Sequence, residues 1–371
     1  MVAMGIFSNR PALRWLAPAG LVLVVGGTGL VATTANADPS LSPKSAEQLL
    51  VDVQKAQVDG LSGTVTQTAD LGLPGLPPTG GATSEELTSL LSGNHTLRVW
   101  YAGPDKSRVA VLDKLGETDV VVNGTSVWTW ASRTNEATHR VLPEHTGARP
   151  RTAAPTSPDI PKTPEEAAQL VLKAVGTTTN VSTDASVKVA DRDAYALVLT
   201  PKDDRSKIGQ VRIAVDAKTS VPLKVEVLST AGDDIATVGY DDVTFAKPDD
   251  GQFAFNPPKD AKVTEAPAPA APKAPSAAQK KAAQQRAEQA KSDTKTYGEG
   301  WTKVVVTKVP ADAASSSQLA GVVTSLPRVE GQAWGSGRLF EGTAFSAVLT
   351  DDGRLAVGAV KPDLLYAALA K

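Results

Sequence analysis

The side chains best suited to catalysis or metal binding are few and scattered. Cysteine is absent and there are three histidines, His95, His139 and His145. That excludes disulfide scaffolds, thiolate zinc sites and cysteine nucleophiles, and it argues against a multi-histidine metal centre. The histidines fall at strand ends or in a proline-rich loop, so the expectation is solvated rings with no acid–base partner. Aspartates pair at 203/204, 233/234, 241/242, 249/250 and 351/352. Their spacing matches no EF-hand loop, and Asp is a common turn residue, so no metal site is assigned. Ser336 lies between Gly335 and Gly337, but a nucleophile elbow needs glycines where Trp334 and Arg338 stand. The sequence therefore predicts no catalytic residue and no cofactor.

Apolar side chains remain as the material of a site. Trp128 and Trp130 are two apart and share one side of a strand. Val99 and Tyr101 alternate with Arg98 and Trp100 on a second strand, and Val211 and Ile213 share one side of a third. These six are the candidates for lining an apolar ligand groove. The alternative for the tryptophans is ordinary core packing under a helix. Lys and Arg number 38 against 40 Asp and Glu, a net charge of −2, which argues against a nucleic-acid binder built on phosphate attraction.

Several elements would position these residues. Arg10 and Arg14 precede a mostly apolar stretch, 16–31, that ends near Ala35-Asn36-Ala37. About 16 residues is short for a membrane span, so 1–37 is expected to be an export signal, with an uncleaved N-terminal anchor as the alternative. Either way the remainder is expected outside the cytoplasm. A helix is predicted from Ser42-Pro43, with Ala46, Leu49, Leu50 and Val53 on one face, ending at Gly60. A strand follows at 61–69, then a Gly/Leu/Pro stretch and a short helix at 83–91. That helix carries Leu87, Leu90 and Leu91 as an apolar stripe. Strands are predicted at 97–101, 108–113, 119–122, 126–131 and 138–142, with a type I′ turn at Asn123-Gly124. Five prolines mark 143–162 as a mobile loop, and Thr163-Pro-Glu-Glu166 starts another helix. Strands resume at 185–190, 194–200, 209–216, 222–228 and 235–245. Val211, Ile213 and Val215 face one way, as in an antiparallel sheet with one covered side. Residues 264–295 form an Ala/Pro/Lys/Gln linker. A compact unit, 296–371, holds a strand at 301–309, a helix at 315–326, a hairpin at 343–360 and a last helix at 362–370.

Three stretches together resemble the LolA-type lipoprotein carriers: "VVVNGTSVWTWASRTNEAT" at 120–138, "LVLTP" at 197–201 with "PLKVE" at 222–226, and "FAFNPP" at 253–258. The likeness spans about 42–263. It implies an α+β fold, a half-open antiparallel β-barrel with a helical lid, with "FAFNPP" as its closing strand. The related RseB/MucB-type regulators add a second domain, which suits the small C-terminal α+β unit here. An Arg that ties down the lid in the carriers has no counterpart at Ala102-Gly103-Pro104, so that role is not carried over.

The resemblance implies a non-enzymatic binder of lipid or lipoprotein acyl chains, acting as carrier or sensor. Its alternative is a regulator that binds a membrane-protein partner such as an anti-sigma factor. A hydrolase is the third and weakest reading. The candidate lid is Leu87, Leu90 and Leu91. Burying three leucines stabilises closure by about 4–9 kcal/mol before ordering entropy, and a chain of about sixteen carbons contributes about 12 kcal/mol. A lid of that strength competes with its ligand and permits release.

Overall fold

The structure is a computed structural model. It describes residues 41–69, 93–113, 116–142, 163–164, 176–266, 293–309 and 323–371. The export signal, the helix at 83–91 with Leu87, Leu90 and Leu91, the loop at 143–162, the body of the helix begun at Thr163 and most of the linker lie outside the described residues.

The first element is α1 (Ala46–Lys55). It starts later than Ser42-Pro43 because Ser45 is the better cap. The Ser45 hydroxyl accepts from the Gln48 N–H at 3.3 Å, and the Gln48 side chain accepts from the Ser45 N–H at 3.0 Å. This reciprocal pair needs Gln three residues beyond the cap. The residues before it are held on a strand, where the Tyr195 hydroxyl donates to the Ser42 carbonyl at 2.9 Å.

Strands then dominate: β1 (Leu61–Ala69), β2 (Gly93–Tyr101), β3 (Lys106–Asp113), β4 (Gly116–Asn123), β5 (Ser126–Ala131), β6 (Glu136–Val141), β7 (Thr179–Val189), β8 (Arg192–Pro201), β9 (Ile208–Asp216), β10 (Pro222–Ser229), β11 (Asp234–Thr244) and β12 (Lys262–Ala266). They form one sheet of twelve in the order β12-β6-β5-β4-β3-β2-β1-β11-β10-β9-β8-β7, which does not close on itself. Every pairing is antiparallel except β12 with β6, which is parallel.

The β4–β5 turn differs from expectation. Asn123 pairs with Ser126, so the two loop residues are Gly124 and Thr125, one position later than Asn-Gly. Gly124 has φ of 60° while Thr125 is not in the left-handed region. That pattern is a type II′ turn, which takes Gly at its first central position. Residues 253–258 also differ, because they join no ladder. Asp250–Phe253 is a 3₁₀ turn, and Pro257 and Pro258 have no N–H to donate. The strand that follows is β12.

A second sheet has six strands in the order β13-β14-β18-β17-β16-β15. These are β13 (Thr294–Tyr297), β14 (Val304–Lys308), β15 (Arg328–Gly331), β16 (Gly335–Glu341), β17 (Ser346–Thr350) and β18 (Arg354–Gly358). The last element, α2 (Pro362–Leu369), buries Leu365, Ala368 and Leu369 against Val304, Val348 and Ala356. Trp301 sits in a 3₁₀ turn ahead of β14 rather than in the strand.

The two sheets meet at a main-chain junction. Ser206 and Val360 form an antiparallel bridge, both 0 % exposed. The Lys207 N–H donates to the Ala359 carbonyl and the Lys361 N–H to the Arg205 carbonyl, each at 2.9 Å. The Trp301 indole N–H donates to Thr179 Oγ1 at 2.8 Å. Ala344, Phe345 and Ala359 join an apolar cluster with Leu49 and Val53 of α1 and Leu199, Ile208 and Val211 of the large sheet.

Candidate functional site

Directly opposite residues in a ladder share a face, so register decides which side chains can meet. Val99 lies opposite Val109, Val109 opposite Val120, and Val120 opposite Thr129. One step along, Leu97 lies opposite Val111, Val111 opposite Thr118, and Thr118 opposite Ala131. This is a valine-rich face across β2–β5. Leu97, Val99 and Val109 are buried in it, while Val111, Val120 and Ala131 are half-buried.

The opposite face carries the tryptophans. Trp100 lies opposite Arg108, Val121 opposite Trp128, Asp119 opposite Trp130, and Trp128 opposite His139. The protein's own chain crosses this face. Phe253 is 1 % exposed against β3 and β4, and Phe255 lies 5.3 Å from Trp128 and 6.2 Å from Trp130 between ring centres. Lys106 and Asp250 pin the crossing with an ion pair of 2.7 Å.

The six predicted groove residues therefore do not share one face. Trp128 and Trp130 are half-buried on the crossed side, under Phe255 rather than under a helix. Val99 and Tyr101 lie on the valine face at 5 % and 7 % exposure. The ladder carries Val211 and Ile213 onto that same face, through Ile213 opposite Val225, Val225 opposite Val238 and Val238 opposite Gln67. There they are filled in by α1 and by Ala344. Both sides of β9 are covered, since Ala214 on the other side is also buried.

Sequence reasoning passed over Val109, Val111 and Val120. The signal was present: if Trp128 and Trp130 point one way, Thr129 points the other, and the β4–β5 hairpin sets Val120 beside it.

Buried charge pairs sit on the tryptophan face and at the β8–β9 end. Arg108 donates to Asp119 at 2.8 and 3.1 Å, and its guanidinium lies 5.1 Å from the centre of the Trp100 ring. Glu117 is held above the usual carboxylate range, first by burial and then by the neighbouring Asp119 charge. At the β8–β9 end Asp216 is 1 % exposed and accepts from Arg192 at 2.6 and 3.0 Å. It also accepts from the Thr219 N–H at 2.7 Å and the Thr219 hydroxyl at 2.8 Å. Burial pushes the Asp216 carboxyl up, but these bonds outweigh it and leave the group below its ordinary value.

His139 departs from the expectation of a solvated ring. Its Nε2 lies 2.9 Å from Ser126 Oγ, its Nδ1 lies 2.9 Å from Glu265 Oε2, and its ring stacks on Trp128 at 4.3 Å. His95 is half-buried in β2 opposite Gln67, and His145 lies outside the described residues. Ser336 bonds Asp351 and accepts from Arg328 at 2.8 Å in a surface cluster. Among the described residues no three His, Asp or Glu side chains gather as a metal site would need.

No protein-family model matches the chain, and no curated protein matches it. Solved structures do. The fold is similar to that of MucB in the MucA/MucB complex of Pseudomonas aeruginosa, at 15% identity and a TM-score of 0.43, over 87% of this chain and 96% of that one. It is similar to an uncharacterised conserved protein from Thermus thermophilus, at 14% identity and a TM-score of 0.31, over 60% of this chain and 99% of that one. It is also similar to a LolA superfamily protein from Nitrosomonas europaea, at 13% identity and a TM-score of 0.21, over 57% of this chain and 99% of that one.

Proposed function

We propose that this chain is an exported binding protein for lipid or lipoprotein acyl chains, acting as carrier or sensor. In this reading the large sheet is a half-open barrel within a domain at 42–263, the helix at 83–91 is its lid, and 296–371 is a separate small domain. One observation carries the reading: the two faces of β2–β5 are treated differently. The tryptophan face is crossed by residues 249–258, whereas on the valine face Val120 and Ala131 are half-buried at the margin of the cluster that Val111 joins with Leu97, Val99 and Val109. A valine-rich row presents mainly apolar surface. It recognises its ligand by apolar area, at about 0.8 kcal/mol per buried methylene.

The test combines two measurements. Organic extracts of the purified full chain are analysed by mass spectrometry for acyl lipids, and binding of a fluorescent fatty acid is titrated. Val120→Asp places a carboxylate among apolar neighbours and is expected to weaken binding at least tenfold. Thr129→Trp fills the same face and checks the result without a charge. Val263→Asp, on an exposed residue of the other face, leaves binding unchanged. Equal binding by all three variants, with no lipid in the extract, would overturn the reading.

A further inference from the structure

One cluster on the tryptophan face is not used by acyl-chain binding. Ser126, His139 and Glu265 come from β5, β6 and β12, and they form a continuous chain of hydrogen bonds. Ser126 Oγ lies 2.9 Å from His139 Nε2, and His139 Nδ1 lies 2.9 and 3.1 Å from the two oxygens of Glu265. We infer that Ser126 is an activated nucleophile, with His139 as its base and Glu265 as the group that orients the base. The inference is independent of the lipid-binding reading, because none of the three lies on the valine face.

The geometry sets the roles. A carboxylate only accepts hydrogen bonds, so Glu265 takes the Nδ1–H; the base role then needs the tautomer in which the Nε2 lone pair faces the Ser126 hydroxyl. Nucleophile–base and base–carboxylate bonds of this length are the signature of an activated serine. The imidazole is held in plane by Trp128, at an interplanar angle of 16°. Parallel pairing sets Glu265 directly opposite His139 in the β12–β6 ladder, and its side chain, 68 % exposed, reaches the ring from the solvent side. Lys262, ion-paired to Glu136 at 2.6 Å, anchors the start of that strand. The His139 side chain is 19 % exposed, so the ring is sheltered but reachable.

The surroundings select the substrate class. Val141 lies opposite Ser126 and is 48 % exposed, and Trp128 adds an apolar wall. A positioned base contributes about 10²–10⁴-fold, which suits activated esters, such as aryl esters of apolar acids. In the first step Ser126 Oγ bonds to the carbonyl carbon while its proton passes to His139 Nε2. The bond from that carbon to the aryl oxygen breaks, and the phenol leaves with the proton from Nε2. Water then attacks the acyl-serine, gives a proton to Nε2 and releases the carboxylic acid, and Ser126 recovers its proton.

The full chain is incubated with a fluorophosphonate probe, and adducts are located by intact-mass and peptide mass spectrometry. One adduct is expected, on Ser126, absent from Ser126→Ala and formed at least tenfold more slowly in His139→Gln. Glu265→Gln is expected to slow it severalfold. The unmutated chain supplies a control that does not depend on folding of a variant: unfolding it in urea before the probe is added is expected to abolish labelling, because the three groups meet only through cross-strand pairing. No adduct at Ser126, a rate in folded His139→Gln equal to that of the parent, or equal labelling of the urea-unfolded chain overturns the inference. Fatty-acid titration of Ser126→Ala reads the binding role separately and is expected to be unchanged.

Discussion

Replacing Asp216 by Ala tests how the β8–β9 end of the large sheet is held. The carboxylate is buried and accepts two bonds from Arg192 and two from Thr219, with a fifth at 3.2 Å from the Lys218 N–H. The same guanidinium lies 4.7 Å over the ring of Phe245, so it also ties this end to the stretch that follows β11. Removing the carboxylate leaves a quarter-exposed cation and a turn whose N–H groups have lost their acceptor. Breaking a buried pair in this way costs about 3–5 kcal/mol. At about 2–4 °C per kcal/mol for a unit of this size, melting falls by about 6–20 °C. Arg192→Ala should cost less, because its head keeps partial access to water. The double variant should show coupling of about 1–3 kcal/mol. Acid should reproduce part of the effect. A carboxyl with a depressed native pKa contributes stability that is full above the unfolded value of about 3.9 and is lost as the pH falls below it. The assay is urea unfolding followed by tryptophan fluorescence, with all four proteins of the cycle. A loss below about 1 kcal/mol for Asp216→Ala, or strict additivity of the two changes, refutes the argument.

Three further outcomes are expected. Asp203, held at about 2 by hydrogen bonds from the Arg205 side chain and N–H, sits beside the junction of the two sheets. Its contribution is complete above about pH 3.9 and disappears as the pH falls towards 2, and an acid titration of Asp203→Asn should lack that component. Trp301→Phe removes the indole donor to Thr179 and should cost about 1 kcal/mol at the junction, read as earlier release of the small sheet in urea. Gly209→Ala would place a Cβ 2.3 Å from the Ser229 carbonyl oxygen, and the forced shift should lower stability by about 1–3 kcal/mol in thermal unfolding.

Much of the large sheet was legible because its strands alternate. Leu97, Val99 and Tyr101, or Val211, Ile213 and Val215, announce both a strand and its buried side. Legibility failed where an element is not stabilised by burial. β7 begins at Thr179, six residues before the predicted start, because its first half is an exposed edge without apolar alternation. β12 is a stretch of Lys, Val, Thr and Glu with almost no burial. It is held by ladder bonds and by the Lys262–Glu136 and Glu265–His139 contacts, which join positions 126 residues apart. β15 and β16 are rich in Gly and Arg and gave no periodic signal. The candidate site was half legible: strand periodicity separates Trp128 from Thr129, but only register shows that Val99 and Trp128 lie on opposite faces. No local motif foretells the Ser126–His139–Glu265 chain, since its members meet through cross-strand pairing.

The polypeptide leaves the large sheet at its parallel edge strand, yet the small sheet is fastened just ahead of β9 by the Ser206–Val360 bridge and to β7 by the Trp301–Thr179 bond. Covalent continuity between 267 and 292 is thus redundant with a non-covalent seam. A protease cut inside that interval should yield two fragments that still migrate as one particle. Separately expressed pieces ending and beginning there should find each other, which makes the interval a natural place to split the protein into a complementing pair.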